Sequence, residues 1–581
     1  INSKTNRLIA NIGFILTPFS WSSLRTNIGS DTYTNENLLL RHPESALGNN
    51  YNGVLDVADD ITRNLNAQTV FSINEQSLGK KFGFSAFVGN AISDAKSQTN
   101  ALKGQDFLDP SFVSINNTNP AQRQNRTTIS QRRLVGVFGS ATFNYNQYAF
   151  LTVTGRNDWT STIPIGSNSF FYPSVNGAFV FSDAIPSIGR FMTGKIRGGY
   201  AEVGKDARPY AYRPSLESKT TTNGGYGYGF TGPNLALKPE FARSYEFGTE
   251  LGFLDNRVSL DVTQYRKQTK DQIVNDIRGS YATGFVLFNL NGAVTRNTGT
   301  EISLNLTPAL TRNFTWSINS NFDRSRGTVL ALPNALPESY VSDTWLFGNI
   351  RNGTSPGQST RSLTGQFYLR NTAGDILISP TTGLPLRAGT FIAGPNGGYD
   401  RTPDWTLGVT NTLRYKSASL SFLFDFRRGG DVFNGTEQYL TARGLTKRTL
   451  DREQPRVVNG VLRDGKENTA TPTKNTIVVI PIFQSTYYTD ISEELFIEKD
   501  INWIRLRDVT FRYQIPERLV GAKSASLFIT GTDLLLFTNY SGLDPIVNGN
   551  TAAVGGSGAS GIDFGNFPIP RGLAFGLRVG Y

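Results

Sequence analysis

Apolar and polar residues alternate with a period of two along much of the chain. Near the C-terminal end Leu573, Phe575, Leu577, Val579 and Tyr581 are apolar, while Ala574, Gly576, Arg578 and Gly580 fall between them. Successive side chains of a strand point to opposite faces, so this segment predicts a strand with one apolar face and one small or polar face. The same pattern sets Leu420, Phe422, Phe424 and Phe426 against Ser419, Ser421, Asp425 and Arg427. Upstream it sets Phe314, Trp316, Ile318 and Phe322 against Thr315, Ser317, Asn319, Asn321 and Asp323. About seventeen such strands are predicted, and the connections between them alternate between very short and long. The short ones fall near Pro18–Phe19, Glu75–Gly79, Asn146–Gln147, Ala184–Gly189, Asp255–Asn256, Pro308–Thr311, Lys416–Ser417 and Arg518–Ala522. The long ones cover roughly 33–56, 97–125, 160–169, 208–240, 275–289, 328–403, 430–490 and 541–569.

Short turns on one side and long loops on the other are the signature of a transmembrane barrel. A propeller would show a blade-length repeat, and none is present. No apolar run approaches the roughly 18 residues of a membrane helix, so any span is made of strands. The predicted fold class is therefore all-β, a transmembrane antiparallel β-barrel. Phe422, Phe424, Trp316, Leu577 and Val579 are expected to face lipid, and Asp425, Asn319, Glu246 and Glu250 the lumen. Arg505 and Arg507 share parity with the apolar Val509, Phe511 and Tyr513, which predicts that they lie above the bilayer or beyond a bulge near Asp508. If the last strand runs inward, counting back makes the first one, near Arg7–Thr17, inward too. The barrel is then incomplete, with its opening strands expected before residue 1.

Composition narrows the chemistry. Hydrophobic residues are 38% of the 581, which suits strands that wet one face, and the absence of cysteine closes thiolate metal sites and thiol nucleophiles. The one histidine, His42, has no partner for a triad or a zinc site, so no catalytic residue, metal or cofactor is expected. The net charge of +11 is spread along the chain and not gathered in an arm or helix, which favours anionic lipid or an anionic solute over nucleic acid. Glu246, Glu250 and Glu301 fit a glycosidase pair less well than a wet lumen, where carboxylates pair with Arg156 or Arg197. The glycine-rich 555–561 lacks the lysine and following helix of a phosphate loop and reads as a mobile surface loop. Aromatics assigned to long loops, Trp159, Tyr172, Tyr210, Tyr212, Tyr226, Tyr228 and Phe230, are the candidates for contact with a substrate or partner. Phe170 to Tyr172 fit an interfacial aromatic girdle equally well.

Several passages, in order, carry a further signal. They are Gly155-Arg156-Asn157-Asp158-Trp159-Thr160-Ser161-Thr162, Lys195 to Asp206, Asn234 to Glu240, Glu246 to Leu251, Asn297 to Ile302, Arg428 to Asn434, Thr530 to Leu535 and Tyr540 to Pro545. Together these resemble the recurring signatures of the SusC/RagA family of TonB-dependent transporters. The resemblance implies the C-terminal barrel portion, residues 1–581, of a barrel of about twenty-two strands. The export signal, periplasmic domain, plug and first strands would lie outside this sequence. It further implies a bacterial outer-membrane location and energy-coupled import of an oligosaccharide or peptide. The implied partners are TonB and a SusD-like surface lipoprotein. A passive porin or a non-transport surface barrel is the alternative.

Overall fold

The computed structural model describes the chain except residues 47, 215, 219–225, 279–280, 334–335, 344–349, 395–397, 517–522, 548–559 and 581. The predicted turn at 518–522 and most of the glycine-rich 555–561 therefore lie outside the described residues. Seventeen strands make one large sheet. The first seven are β1 (Asn2–Phe19), β2 (Ser22–Arg41), β3 (Val54–Leu78), β4 (Phe82–Gln105), β5 (Gln124–Tyr145), β6 (Ala149–Thr160) and β7 (Ser169–Val180). Then come β8 (Met192–Lys205), β9 (Glu240–Phe253) and β10 (Val258–Arg278). The last are β11 (Leu287–Leu310), β12 (Phe314–Ala331), β13 (Trp405–Tyr415), β14 (Ala418–Arg428), β15 (Trp503–Ile515), β16 (Ser524–Thr538) and β17 (Gly572–Gly580).

Two compact units share these strands. One comprises Ile1–Phe179, Gly198–Ser244 and Thr269–Asn291, the other Val180–Arg197, Tyr245–Gln268 and Gly292–Tyr581. Within the first, β1 to β7 pair antiparallel, each with the next. Within the second, β11 to β17 do the same. Short turns use the left-handed backbone that tight hairpins need: Asn146 and Gln147 have φ of 50° and 59°, and Lys416 has 48°. The alternation of short and long connections holds, but several boundaries move. β3 and β4 run 25 and 24 residues. The loops read as 33–56 and 97–125 thus shrink to 42–53 and 106–123. Where both faces of a strand are polar, as at Asn35↔Asp60 and Glu36↔Asp59, the ladder continues although the hydropathy alternation has gone.

The second unit shows the two faces most clearly. Trp316 lies opposite Leu413, Val409 opposite Phe424, Phe422 opposite Val509, Phe511 opposite Ile529, and Ile529 opposite Phe575. Leu577 and Val579 continue the same face through Leu527 and Ala525. This face is uncovered: Phe575 is 72% exposed and Leu577 61%. The opposite face carries polar cross-strand pairs, Asn319 with Asn305, Thr412 with Ser421 at 3.3 Å and Thr510 with Thr530 at 2.9 Å. An uncovered apolar face of this extent is stable against lipid and not against water.

The bulge expected near Asp508 is present. Leu423 pairs with Asp508 but Phe424 pairs with Leu506, so Arg507 is the extra residue. Beyond it the parity reverses: Leu506 and Ile504 join the apolar face opposite Phe424 and Phe426, and Arg505 moves to the polar face opposite Asp425. There Arg505 is buried and bonds Asp544 at 2.6 Å and Asp533 at 3.3 Å.

Loops 332–404, 429–502 and 539–571 fold on one another. Ser362–Gly365 pairs with Ile350–Thr354, Ile392–Ala393 and Tyr399–Asp400. Leu377–Ile378 runs parallel to Val461–Leu462, and Val432–Asn434 pairs with both Ile497–Glu498 and Ile562–Asp563. Ile350, Leu363, Phe367, Phe433, Phe496 and Ile562 form their shared core. Buried Glu493 ties the loops further, accepting from Arg387 at 2.6 Å and Gln438 at 3.0 Å; burial outweighs these partners and raises its carboxyl above the usual range.

Candidate functional site

The polar face of the second unit centres on Arg197. Its guanidinium bonds Glu250, Asp261 at 2.8 Å and the Thr263 hydroxyl at 2.7 Å, and Lys195 reaches Glu250 at 2.8 Å. Gly248 makes room for it, since a Cβ there would lie 2.9 Å from Arg197 Nε. Arg197, Asp261, Thr263, Glu301, Asn321 and Asp323 line a hollow of about 520 Å³. Glu301 sits directly opposite Asp323 in the β11–β12 ladder. Glu246 has the parity of Glu250 on β9, opposite to the exposed Tyr245 and Phe247. Asp425 accepts from Trp503 Nε1 at 3.2 Å and Arg507 Nε at 3.3 Å. The arrangement gives a polar surface of alternating fixed charges.

On the first unit's polar face, Arg156 lies over the Phe138 ring at 5.3 Å and pairs with Asp158, which also accepts from the Tyr172 hydroxyl. A second hollow of about 510 Å³ is lined by Asn11, Asn27, Asn66, Gln68, Ser93 and Arg156. Two sequence assignments are corrected here. Trp159 and Tyr172 stand in β6 and β7 and not in a loop. Trp159 lies opposite Val135 and Ser169 and is 41% exposed, on the same face as Phe171 and Val153. That is the apolar face, and Trp159 stands near the end of β6. Tyr172 belongs to the polar wall, tied to Asp158.

The remaining aromatics do lie between β8 and β9. Tyr210, with φ of 61°, and Tyr228 and Phe230 are exposed, and Tyr212 packs against a small core of Ile163, Ala207, Ala211 and Leu237. The Tyr226 side chain lies outside the described residues. Sequence reasoning missed Phe285, whose ring stands 5.5 Å from Tyr228 and 6.2 Å from Phe288; the run Gly284-Phe285-Val286-Leu287-Phe288 was the available signal.

It also missed what anchors this loop. Asp206 receives Arg132 through two bonds of 2.8 and 2.9 Å, Thr160 at 2.6 Å and Thr162 at 2.9 Å. Burial pushes its pKa up, but the guanidinium and the two hydroxyls outweigh burial and hold it below the usual carboxylate range. A depressed folded pKa contributes stability that is present above the unfolded value and is lost as the pH falls through the folded one. Asp206→Asn is therefore expected to loosen residues 206–239 by about 1.5–3 kcal/mol at neutral pH. Hydrogen exchange at Ala207, Ala211 and Leu237 reads this directly, and the wild type should show the same loss only below about pH 4. Unchanged protection in the variant would remove Asp206 as the anchor.

The β-barrel model of TonB dependent receptor-like proteins matches residues 2–349. TonB-dependent receptor P26 of Formosa agariphila is 27% identical over 501 residues, covering 81% of this chain and 48% of its own length. TonB-dependent receptor SusC of Bacteroides thetaiotaomicron is 23% identical over 320 residues, 52% of this chain and 32% of its own. The solved RagAB peptide transporter matches with a TM-score of 0.76 at 17% identity, over 99% of this chain and 62% of that one. The chain spans about half the length of the curated relatives P26 and P3. SusC and RagAB are the relatives that the sequence motifs indicated. With its apolar and polar faces, its alternating connections and a family match over more than half its residues, the chain belongs to the TonB-dependent receptor-like β-barrels.

Proposed function

We propose that this chain forms the wall and outer loops of an importer that draws an oligosaccharide or peptide across the bacterial outer membrane, energised through TonB in the whole protein. The observation that carries this reading is the two-faced wall: an uncovered apolar face through Phe424, Phe511 and Phe575, backed by charged and amide side chains. Arg156, Arg197, Glu246, Glu250, Glu301 and Asp425 supply the solute path. Tyr210, Tyr228 and Phe230 supply exposed rings in the loops, with the half-buried Phe285 against Tyr228, where a SusD-like lipoprotein would close over captured substrate. Exposed rings at loop tips suit either sugar stacking or a protein interface. The peptide named for RagAB supports a peptide as one cargo.

The test is uptake by cells carrying the whole gene, offered labelled peptides and labelled oligosaccharides, with and without the neighbouring lipoprotein gene. Uptake of one class is expected to fall by about ten-fold or more when the lipoprotein is deleted, as loss of a stable interface of about 1.4 kcal/mol or more would require. Recovery of the receptor alone on gentle solubilisation, with uptake unchanged by the deletion, would refute the partnership.

A further inference from the structure

The apolar face of the first unit ends in a row of cations. On β4 the outward positions begin with Phe82 and Phe84, whose rings stand 5.0 Å from Tyr145 and 5.1 Å from Phe143 on β5. Ala86, Val88, Asn90 and Ile92 follow, and Ile92 lies opposite Val135, which in turn lies opposite Trp159. From Phe84 to the first charged outward residue, Asp94, is about ten residues, the length a tilted strand needs to cross the hydrocarbon. Aromatics therefore mark both interfaces, and what lies just beyond Trp159 sits at headgroup level on the long-loop side.

At that level the register gathers three cations. Asp94 lies opposite Arg133, and one step further out Arg63 lies directly opposite Lys96, with Thr32 and Gln131 flanking them. Asp94 is the one carboxylate on these two rows of β3, β4 and β5, and it is already engaged by Arg133 at 2.8 Å and Gln131 at 2.9 Å. Among the described residues neither Arg63 nor Lys96 makes an ion pair within 4 Å, Lys96 attracting Asp94 only at longer range, and both are exposed. Like charges directly opposite in a ladder repel. An outward-facing pair of this kind is stable when an anion lies between them.

The geometry points to Arg63, Lys96 and Arg133 as a binding site for the phosphate of an outer-leaflet lipid headgroup. Arg63 offers a planar fork that matches phosphate oxygens, Lys96 a mobile point charge, and Arg133 keeps Nη1 free beyond the two nitrogens it commits to Asp94. Thr32 and Gln131 add neutral hydrogen-bonding groups. The height favours a lipid over a soluble anion: acyl chains lie against Val88, Ile92 and Val137 while the headgroup phosphate meets the cations. Such a lipid would fix the depth of this wall in the membrane.

This inference rests on the membrane-barrel reading above, and the experiment separates the two. The whole receptor, carrying Arg63→Gln with Lys96→Gln or neither, is reconstituted with doubly phosphorylated lipid A, with its dephosphorylated form, or with either plus inorganic phosphate, and bound lipid is measured by native mass spectrometry. The wild type should retain the phosphorylated lipid about ten-fold better than the variant does, and better than it retains the dephosphorylated lipid, as expected for charge-assisted bonds. Equal retention by the variant, equal retention of the dephosphorylated lipid, or displacement by millimolar inorganic phosphate would overturn the site. Both proteins should insert and show heat-modifiable migration. Failure of the wild type to insert would overturn the barrel reading and this site with it.

Discussion

Replacing Arg505 with methionine is expected to destabilise the folded wall by about 3–5 kcal/mol, the cost of leaving a buried carboxylate without its cation. The Arg505 and Asp544 side chains are only 3% and 5% exposed and meet at 2.6 Å. Asp533 retains Arg507 at 3.7 Å, so Asp544 is the group stranded by the change. Adding Asp544→Asn to the variant should restore much of the loss, because the penalty belongs to the uncompensated charge and not to the missing attraction. Urea titration in detergent, read by the mobility shift between folded and unfolded protein, gives both numbers. A loss under about 1 kcal/mol for the single variant would place Arg505 among solvated pairs and sink the assignment.

Arginine at Phe424 should cost about 2–4 kcal/mol if the site is near the bilayer midplane, whereas arginine at the adjacent Leu423 should cost little. Phe424 is flanked on its face by Phe422 and Phe426, with ring centroids 5.8 and 6.2 Å away. Leu423 points to the other side, opposite Thr410 and Asp508. The two substitutions differ only in which face receives the same charge, so their difference measures lipid exposure directly. Refolding into vesicles followed by urea titration provides the comparison. Equal costs at the two positions would mean that the apolar face does not meet lipid.

Alternation made the faces legible from sequence wherever one side was apolar. Phe422, Phe424 and Asp425 could be assigned from parity alone. The exception was legible in part, because two arginines in phase with Val509, Phe511 and Tyr513 predicted either a place above the bilayer or a bulge near Asp508, and the bulge at Arg507 is present. Legibility failed where both faces are polar. The outer halves of β3 and β4 read as loop since nothing in their hydropathy marks the ladder. Trp159 read as a loop residue because Asn157 and Asp158 precede it and polar residues follow. The anchoring of Asp206 by Arg132 joins positions 74 apart in sequence, with no local pattern to announce it. The core of the large loops brings Ile350, Leu363, Phe433 and Ile562 together from three separate connections, which no window of periodicity spans.

That shared core has a consequence for how such receptors diversify. Because 332–404, 429–502 and 539–571 bury one another's side chains and exchange strand pairs, none of the three has a folded state independent of the other two. Point changes at exposed tips such as Leu543 or Phe483 leave the assembly intact, but transplanting one connection from a relative would strand half of a packed interior. Change in this region is then open either residue by residue at the surface or through all three connections as a block. The stretch from about residue 332 to 571 is the unit that would have to move together, and it takes β13 to β16 and the hairpin at Lys416–Ser417 with it.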